Sequence, residues 1–435
     1  MLEMQESKHK QSWAWVVMFG LIAVMLMRLP PIAAEQDTVF GAFRALVEVD
    51  AIARQNFVEP IKDNRFVEGA LRGMMFRLDP YSGFLNQAEL AQLQHHNEGA
   101  YIGIGIEVGF VHDKPTVIAA SPGGPAASAG ILAGDTILSI NGTRAINKSV
   151  LALHALLQGE KGKAVAITIR QFENGEKRTL KIRSESINIE TVRGSHRKKD
   201  GQWSFVLNTP TPIGYIRISN FVRTTDIAFA AALREVLDAD AKGLIVDMRF
   251  NPGGLFMQAI HIADYFLSEG VIVSTVTRRL AIHDYRATIG TLAKKLPLVI
   301  LINQSSASAA EVLAGAMQDY KRATIVGTRS FGKGSVQHLI HLQSMPAAIK
   351  LTTAYYRLPK GRIVHRNART QKSGDWGVLP DMVVEITDDE SRAIQRSRVE
   401  VEKIINEDNT QKDQADGVIR DRQLIRAIQV FNQPN

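Results

Sequence analysis

The sequence predicts an α/β core, a β-rich module set ahead of it, and a helical N-terminal region. Three patterns predict this. Residues 213–385 alternate continuous apolar strands with amphipathic helices, the signature of a largely parallel, buried sheet. Residues 100–185 carry many short strands punctuated by glycine and proline. Residues 38–97 place Phe40, Phe43, Leu46 and Val47, then Phe66, Leu71, Met74, Met75 and Leu78, at helical spacing.

Taken in order, residues 1–34 form a separate N-terminal element. Lys8 and Lys10 precede an apolar run from Trp13 to Met27, closed by Arg28 and by small residues at Ala33 and Ala34. This order of charge, apolar stretch and small residues reads as a secretory signal. The run is short of the ~20 residues of a spanning helix unless the residues past Arg28 are counted. Export follows either way, with the segment cleaved or kept as a membrane anchor. The expected location is extracytoplasmic: periplasmic, or anchored to the inner membrane facing outward.

The helical region is expected at 35–97, with a turn at Asp79-Pro80 and a short helix at 86–96. The β-rich module is expected at 98–186. It contains the glycine-interleaved run Tyr101–Gly109, the turn residues Pro122–Pro125, a strand ending in the tight Asn141-Gly142 turn, and an amphipathic helix near 149–158. The core is expected at 187–386, with a polar, partly helical tail at 387–435 that ends in the stripe Leu424, Ile425, Ile428 and Phe431.

The chain of 435 residues has 45% apolar and 22% charged residues, proportions of a folded multidomain protein. A net charge of +8 raises nucleic acid or anionic membrane as partners, but the basic residues form no long run. The densest group, Arg193–Lys199, reads as a solvated loop, and no nucleic-acid partner is expected. With no cysteine, disulfides, thiolate metal sites and cysteine nucleophiles are excluded. None of the 11 histidines stands in a triad or metal-binding pattern, and His95-His96 reads as surface. No metal or other cofactor is expected.

Three segments carry candidate chemistry. The apolar strand 297–303 runs into Gln304-Ser305-Ser306-Ala307-Ser308-Ala309-Ala310-Glu311, where a helix begins. The helix dipole and unpaired N–H groups there favour developing negative charge near Ser308. Alone, Ser308-x-x-Glu311 reads more simply as a capping box. The second segment is Gly327-Thr-Arg-Ser-Phe-Gly-Lys333-Gly-Ser-Val-Gln337. It approaches a phosphate-binding loop, but Gly334 stands where that loop needs Ser or Thr, and a strand rather than a helix follows. Lys333 can act as a base once burial favours its neutral form. In an extended segment Gln337 projects on the same face and could orient the amine. The third is Asp247-Met-Arg-Phe-Asn-Pro-Gly253-Gly254-Leu, a strand end and Gly-Gly turn whose N–H groups could stabilise an oxyanion. Alone, it is an ordinary tight turn.

Together, and in this order, the segments resemble the carboxyl-terminal processing peptidases, the tail-specific proteases. The resemblance spans Glu48 to Asp381 and includes Tyr101-Ile-Gly-Ile-Gly-Ile-Glu-Val, Ile213-Gly-Tyr-Ile-Arg-Ile, Lys350-Leu-Thr-Thr-Ala-Tyr-Tyr and Gly377-Val-Leu-Pro-Asp381. It implies a crotonase/ClpP-like catalytic core with an inserted PDZ domain. It implies a serine endopeptidase in which Ser308 is nucleophile, Lys333 is base, Gln337 positions the lysine, and oxyanion donors come from Ala309 and from Gly253 or Gly254. Phe250 and Ala310 depart from residues common in the family.

In PDZ domains a substrate C-terminus adds as a strand to a sheet edge while N–H groups hold its carboxylate. Ile102, Gly103, Ile104, Gly105 and Ile106 resemble that loop and imply protein substrates with apolar C-termini. The resemblance also implies an adaptor protein as a partner, and self-association through residues 38–97 and the tail. The rival readings are a catalytically silent PDZ scaffold, a nucleotide-binding protein and an acyl-CoA enzyme. The intact Ser–Lys pair, Gly334 and the inserted PDZ module, respectively, weigh against them.

Overall fold

The computed structural model describes residues 32–61, 65–111, 114–121, 124–132, 134–146, 148, 153, 156–157, 160–172, 174–198, 200–288, 291–402 and 421–432. The segment expected to direct export lies almost wholly outside them, as does most of the helix expected at 149–158. The chain divides into two units, 1–77 and 78–435.

The first unit contains the helices Ile32–Asn56 and Arg65–Phe76. Phe43, Leu46, Val47, Val49 and Ile52 of the longer helix are exposed. No described helix is long and apolar enough to cross a membrane.

The second unit is built on a six-stranded sheet in the order Val192–Arg193, Gly214–Ile218, Leu244–Asp247, Leu298–Ile302, Thr324–Gly327, Met382–Val383. All pairings are parallel except that of Val192–Arg193 with Gly214–Ile218. The continuous apolar runs Leu-Ile-Val and Leu-Val-Ile-Leu-Ile explain this, because a parallel sheet covered on both faces needs apolar side chains on both. One face packs the helices Thr225–Asp238, Phe256–Asp264 and Ala309–Asp319 through Phe229, Leu233, Ile260 and Leu313. The other face receives the C-terminal helix Arg422–Phe431 through Leu424 and Ala427. Of the tail's apolar stripe, Leu424 is therefore a core residue, and Ile428 and Phe431 pack partly buried against the same core.

A second sheet holds the long strand Ala348–Arg357, paired with Ser335–His341, Val271–Thr277 and the short strand Gly83–Leu85. That last strand interrupts a stretch read from its spacing as helical. The β-rich module forms its own sheet, ordered Ile106–Val111, Lys114–Ala120, Thr136–Ile140, Ala164–Arg170, Lys177–Arg183. Its core includes Ile104, Val117, Ile137, Ile140, Leu153 and Ile167. The cluster expected to be a solvated loop is partly a hairpin instead. His196–Arg197 pairs with Trp203–Ser204, Arg197 bonds Glu190, and its guanidinium lies 4.2 Å from the Trp203 ring.

Candidate active site

Ser308 begins the Ala309–Asp319 helix directly beyond the Leu298–Ile302 strand, with φ at 55°. A positive φ is uncommon for a non-glycine residue, and held strain of this kind clusters at functional sites. The neighbouring serines are placed differently. Ser306 is fully buried; its hydroxyl donates to the Met248 carbonyl at 2.8 Å and accepts the Asn303 N–H at 2.9 Å. Ser305 is exposed and gives its N–H to Asn303 Oδ1 at 3.1 Å.

Glu311, one turn into the helix, is buried, and its carboxylate accepts four hydrogen bonds. Oε2 takes the N–H of Ser308 at 2.9 Å and of Lys333 at 2.7 Å; Oε1 takes the Gly332 N–H at 2.7 Å and the Ser330 hydroxyl at 2.5 Å. Burial pushes the Glu311 carboxyl up, and the four donors oppose that shift. The capping-box spacing is thus real, but its glutamate also ties the serine to the lysine loop. Tyr356, on the second sheet, donates its hydroxyl to the carbonyls of Lys333 at 2.8 Å and Ser308 at 3.3 Å. Spacing alone did not single out either residue as an organiser of the site. The signal that could have found Glu311 is a carboxylate placed three residues after the serine on an otherwise apolar helix.

The Lys333 amine lies 5.1 Å from the centre of the Tyr81 ring. Tyr81 is carried there by the turn foreseen at Asp79-Pro80, in which Asp79 Oδ1 accepts the N–H groups of Tyr81 and Ser82 at 2.7 and 2.8 Å. Burial lowers the Lys333 pKa, and the nearby charge of Lys350 lowers it further; Glu311 and Asp79 act in the other direction. Gln337 donates its amide to Ser335 Oγ at 2.9 Å and Thr352 Oγ1 at 3.2 Å. Gly334 is required by packing, since a Cβ there would stand 2.5 Å from the His365 nitrogen.

The Asn251–Gly254 turn lies against Ser308. A Cβ on Gly253 would fall 2.7 Å from Ser308 Cβ, and one on Gly254 would fall 2.1 Å from the Phe221 carbonyl oxygen. Both glycines have positive φ, 100° and 136°. The Gly253 N–H is given to Asn251 Oδ1 at 2.8 Å. Among the described hydrogen bonds, none uses the N–H of Gly254 or of Ala309.

In the β-rich module, Ile104 and Ile106 are buried in the core, and Gly105 turns the chain with φ at 81°. Ile102 and Gly103 pair with Ser186 and Glu185. The following strand, Ile106–Val111, lies at the edge of its sheet. His95 and His96 are exposed as expected, and His96 Nε2 lies 2.8 Å from Asn220 Nδ2. Among the described residues no cluster of His, Asp and Glu could hold a metal.

An α/β core that sets Ser308 at a strained strand–helix junction, with the half-buried Lys333 held to it through Glu311, is compatible with one class: serine-type peptidases. The comparisons place the chain within it. Residues 212–384 match peptidase family S41 and residues 116–171 match the PDZ domain. A carboxy-terminal-processing protease of Bartonella bacilliformis is 35% identical over 76% of this chain and 72% of its own. One from a Picosynechococcus species is 32% identical over 80% and 83%. A solved photosystem II D1 C-terminal processing protease covers 79% of this chain and 92% of its own at 28% identity, with a TM-score of 0.45. The chain belongs to the carboxy-terminal processing protease family and is a serine-type peptidase.

Proposed function

We propose that the chain is an endopeptidase that captures substrate C-termini on its PDZ domain and cleaves them with a Ser308–Lys333 dyad. The observation that carries the dyad is the convergence of both main chains on Glu311 Oε2. Neutral Lys333 takes the Ser308 hydroxyl proton as Oγ attacks the scissile carbonyl carbon. The displaced π electrons form an oxyanion, which the N–H groups of Gly254 and Ala309 receive. Of the two glycines, Gly254 is preferred because the Gly253 N–H is already given to Asn251. Collapse breaks the C–N bond, the leaving nitrogen takes the proton from the lysine, and an acyl-enzyme ester remains. Water then gives its proton to Lys333, attacks the ester, and Ser308 recovers its proton as the acid product leaves. Gln337, with its amide N–H groups committed to Ser335 and Thr352, keeps its carbonyl oxygen free to orient the lysine amine in this reading.

For the PDZ domain, the open edge at Ile106–Val111 supports strand addition by an extended C-terminus, with Ile102–Ile106 forming its terminal pocket. The proposed limits are 1–34 for the export signal or anchor, 35–97 for the helical region, 98–186 for the PDZ domain, 187–386 for the peptidase core and 387–435 for the tail. An extracytoplasmic location, a protein adaptor and self-association complete the reading; the exposed apolar residues of Ile32–Asn56 support the last. Labelling with a fluorophosphonate tests the nucleophile. Modification mapped to Ser308 supports the reading, and modification of Ser305 alone, or of no serine in an enzyme that cleaves, contradicts it.

A further inference from the structure

The tail reaches the oxyanion turn through a buried network of charges. Asp247, wholly buried, accepts the Tyr215 hydroxyl at 2.8 Å, Arg249 Nη2 at 2.8 Å and Arg398 Nη2 at 2.6 Å. Arg249, also buried, bonds both oxygens of Asp421 at 2.8 and 2.7 Å and Gln423 Oε1 at 3.1 Å. Arg398 belongs to the Asp388–Glu402 helix, and Asp421 caps the Arg422–Phe431 helix through the Leu424 N–H at 3.0 Å. Two arginines and two aspartates therefore neutralise one another around the first residues of the Asp247–Gly254 run. A buried charge is tolerated only when so matched.

Arg398 does more than balance charge. Its Nη1 donates to the Arg249 carbonyl at 3.2 Å, and its guanidinium stands 5.0 Å from the Phe250 ring centre. The same peptide group gives its other end, the Phe250 N–H, to Asn303 Oδ1 at 2.9 Å. The Arg249–Phe250 peptide is thus gripped from both sides. That grip accompanies a φ of 66° at Phe250, a conformation a phenylalanine seldom adopts. Asn251, Gly253 and Gly254 follow at once. Phe250 supplies the ring on which the arginine rests.

We propose that Arg398 is a positioning residue: through the Arg249 carbonyl and the Phe250 ring it holds the Asn251–Gly254 turn so that Gly254 N–H faces the oxyanion. The C-terminal tail then completes the active site. This rests on acyl transfer at Ser308, and the test separates the two claims.

The test uses full-length wild type, Arg398→Ala, Arg398→Lys, Ser308→Ala, and Arg392→Ala as a control on an exposed face of the same helix. Cleavage kinetics, inhibition by a peptide aldehyde with an apolar end, and amide hydrogen exchange over residues 249–255 are read together. The aldehyde forms a tetrahedral adduct whose oxygen occupies the oxyanion site. Arg398→Ala is expected to lower kcat by about 10- to 100-fold and weaken the aldehyde by the same factor. KM should stay within about twofold, and exchange at 249–255 should quicken. Arg398→Lys, which keeps the charge but loses the second prong, is expected to fold and fall between. Arg392→Ala should match wild type. Unchanged kcat, or a fallen kcat with full aldehyde affinity, would overturn the proposal. Full cleavage by Ser308→Ala would sink the acyl-transfer reading instead. In that event exchange decides for Arg398: faster exchange in Arg398→Ala keeps its hold on the turn, and unchanged exchange removes it.

Discussion

Ser308 and Lys333 give their backbone N–H groups to one oxygen, Glu311 Oε2, at 2.9 and 2.7 Å. Two loops separated in sequence are thereby fixed to each other by a buried carboxylate whose other oxygen is also doubly engaged. Replacement of Glu311 by glutamine keeps shape but turns an –NH2 group either towards the two N–H donors at Oε2 or towards the Gly332 N–H at Oε1. Each unmet donor costs about 1–3 kcal/mol. The expected result is a lowered melting temperature together with a kcat reduced on the order of 100-fold, as the two loops shift relative to each other. A Glu311→Gln enzyme with wild-type kcat would show that the shared oxygen does not organise the site.

The pH dependence follows from the lysine. Burial and the Lys350 charge hold its pKa below the usual value of about 10.4. In the proposed dyad only the neutral amine accepts the serine proton, so kcat/KM should rise with pH and level off above the lowered pKa. Removing the positive charge in Lys350→Gln stabilises the Lys333 ammonium, raises its pKa and moves the rising limb to higher pH. A limb that stays in place would assign it to another group.

Ser306, two residues before the proposed nucleophile, separates stability from chemistry. Ser306→Ala leaves the buried Asn303 N–H without its partner and the Met248 carbonyl with the Asn251 N–H alone, at 3.2 Å. A loss of about 1–3 kcal/mol of stability is expected, with activity largely kept below the new melting temperature. Denaturant unfolding and cleavage on the same preparation check this; a stable but inactive variant would contradict it.

Recognition by the PDZ domain predicts dependence on the terminal carboxylate. A tailed substrate with an amidated C-terminus should show a raised KM compared with the free acid, while peptides too short to bridge PDZ and Ser308 should not discriminate. Equal KM values for acid and amide would rule out carboxylate capture at Ile102–Ile106.

Much of this architecture was legible in the sequence because it rests on local signals. Leu244–Val246 and Leu298–Ile302 are continuous apolar runs that read as strands, and the Ser308, Lys333 and Gly253-Gly254 segments stand out by their glycines and turns. What spacing could not supply depends on contacts between distant segments. Tyr81 reaches Lys333 because a turn some 250 residues earlier in the chain packs beside it. Arg398 and Asp421 lie in a tail whose sequence reads only as polar and partly helical, and only the fold brings them onto Asp247 and Arg249. The strand Gly83–Leu85 was hidden because three residues carry no periodicity. The proposed preference for Gly254 over Gly253 likewise rests on the hydrogen bond from Gly253 to Asn251, which spacing does not reveal.

The central claim is the dyad, and cleavage of an unfolded protein with an apolar C-terminus tests it most directly, with wild type compared against Ser308→Ala and Lys333→Ala. Loss of cleavage in both variants, each with a wild-type unfolding transition, is the predicted result. Cleavage retained by folded Ser308→Ala or by folded Lys333→Ala near neutral pH would contradict it.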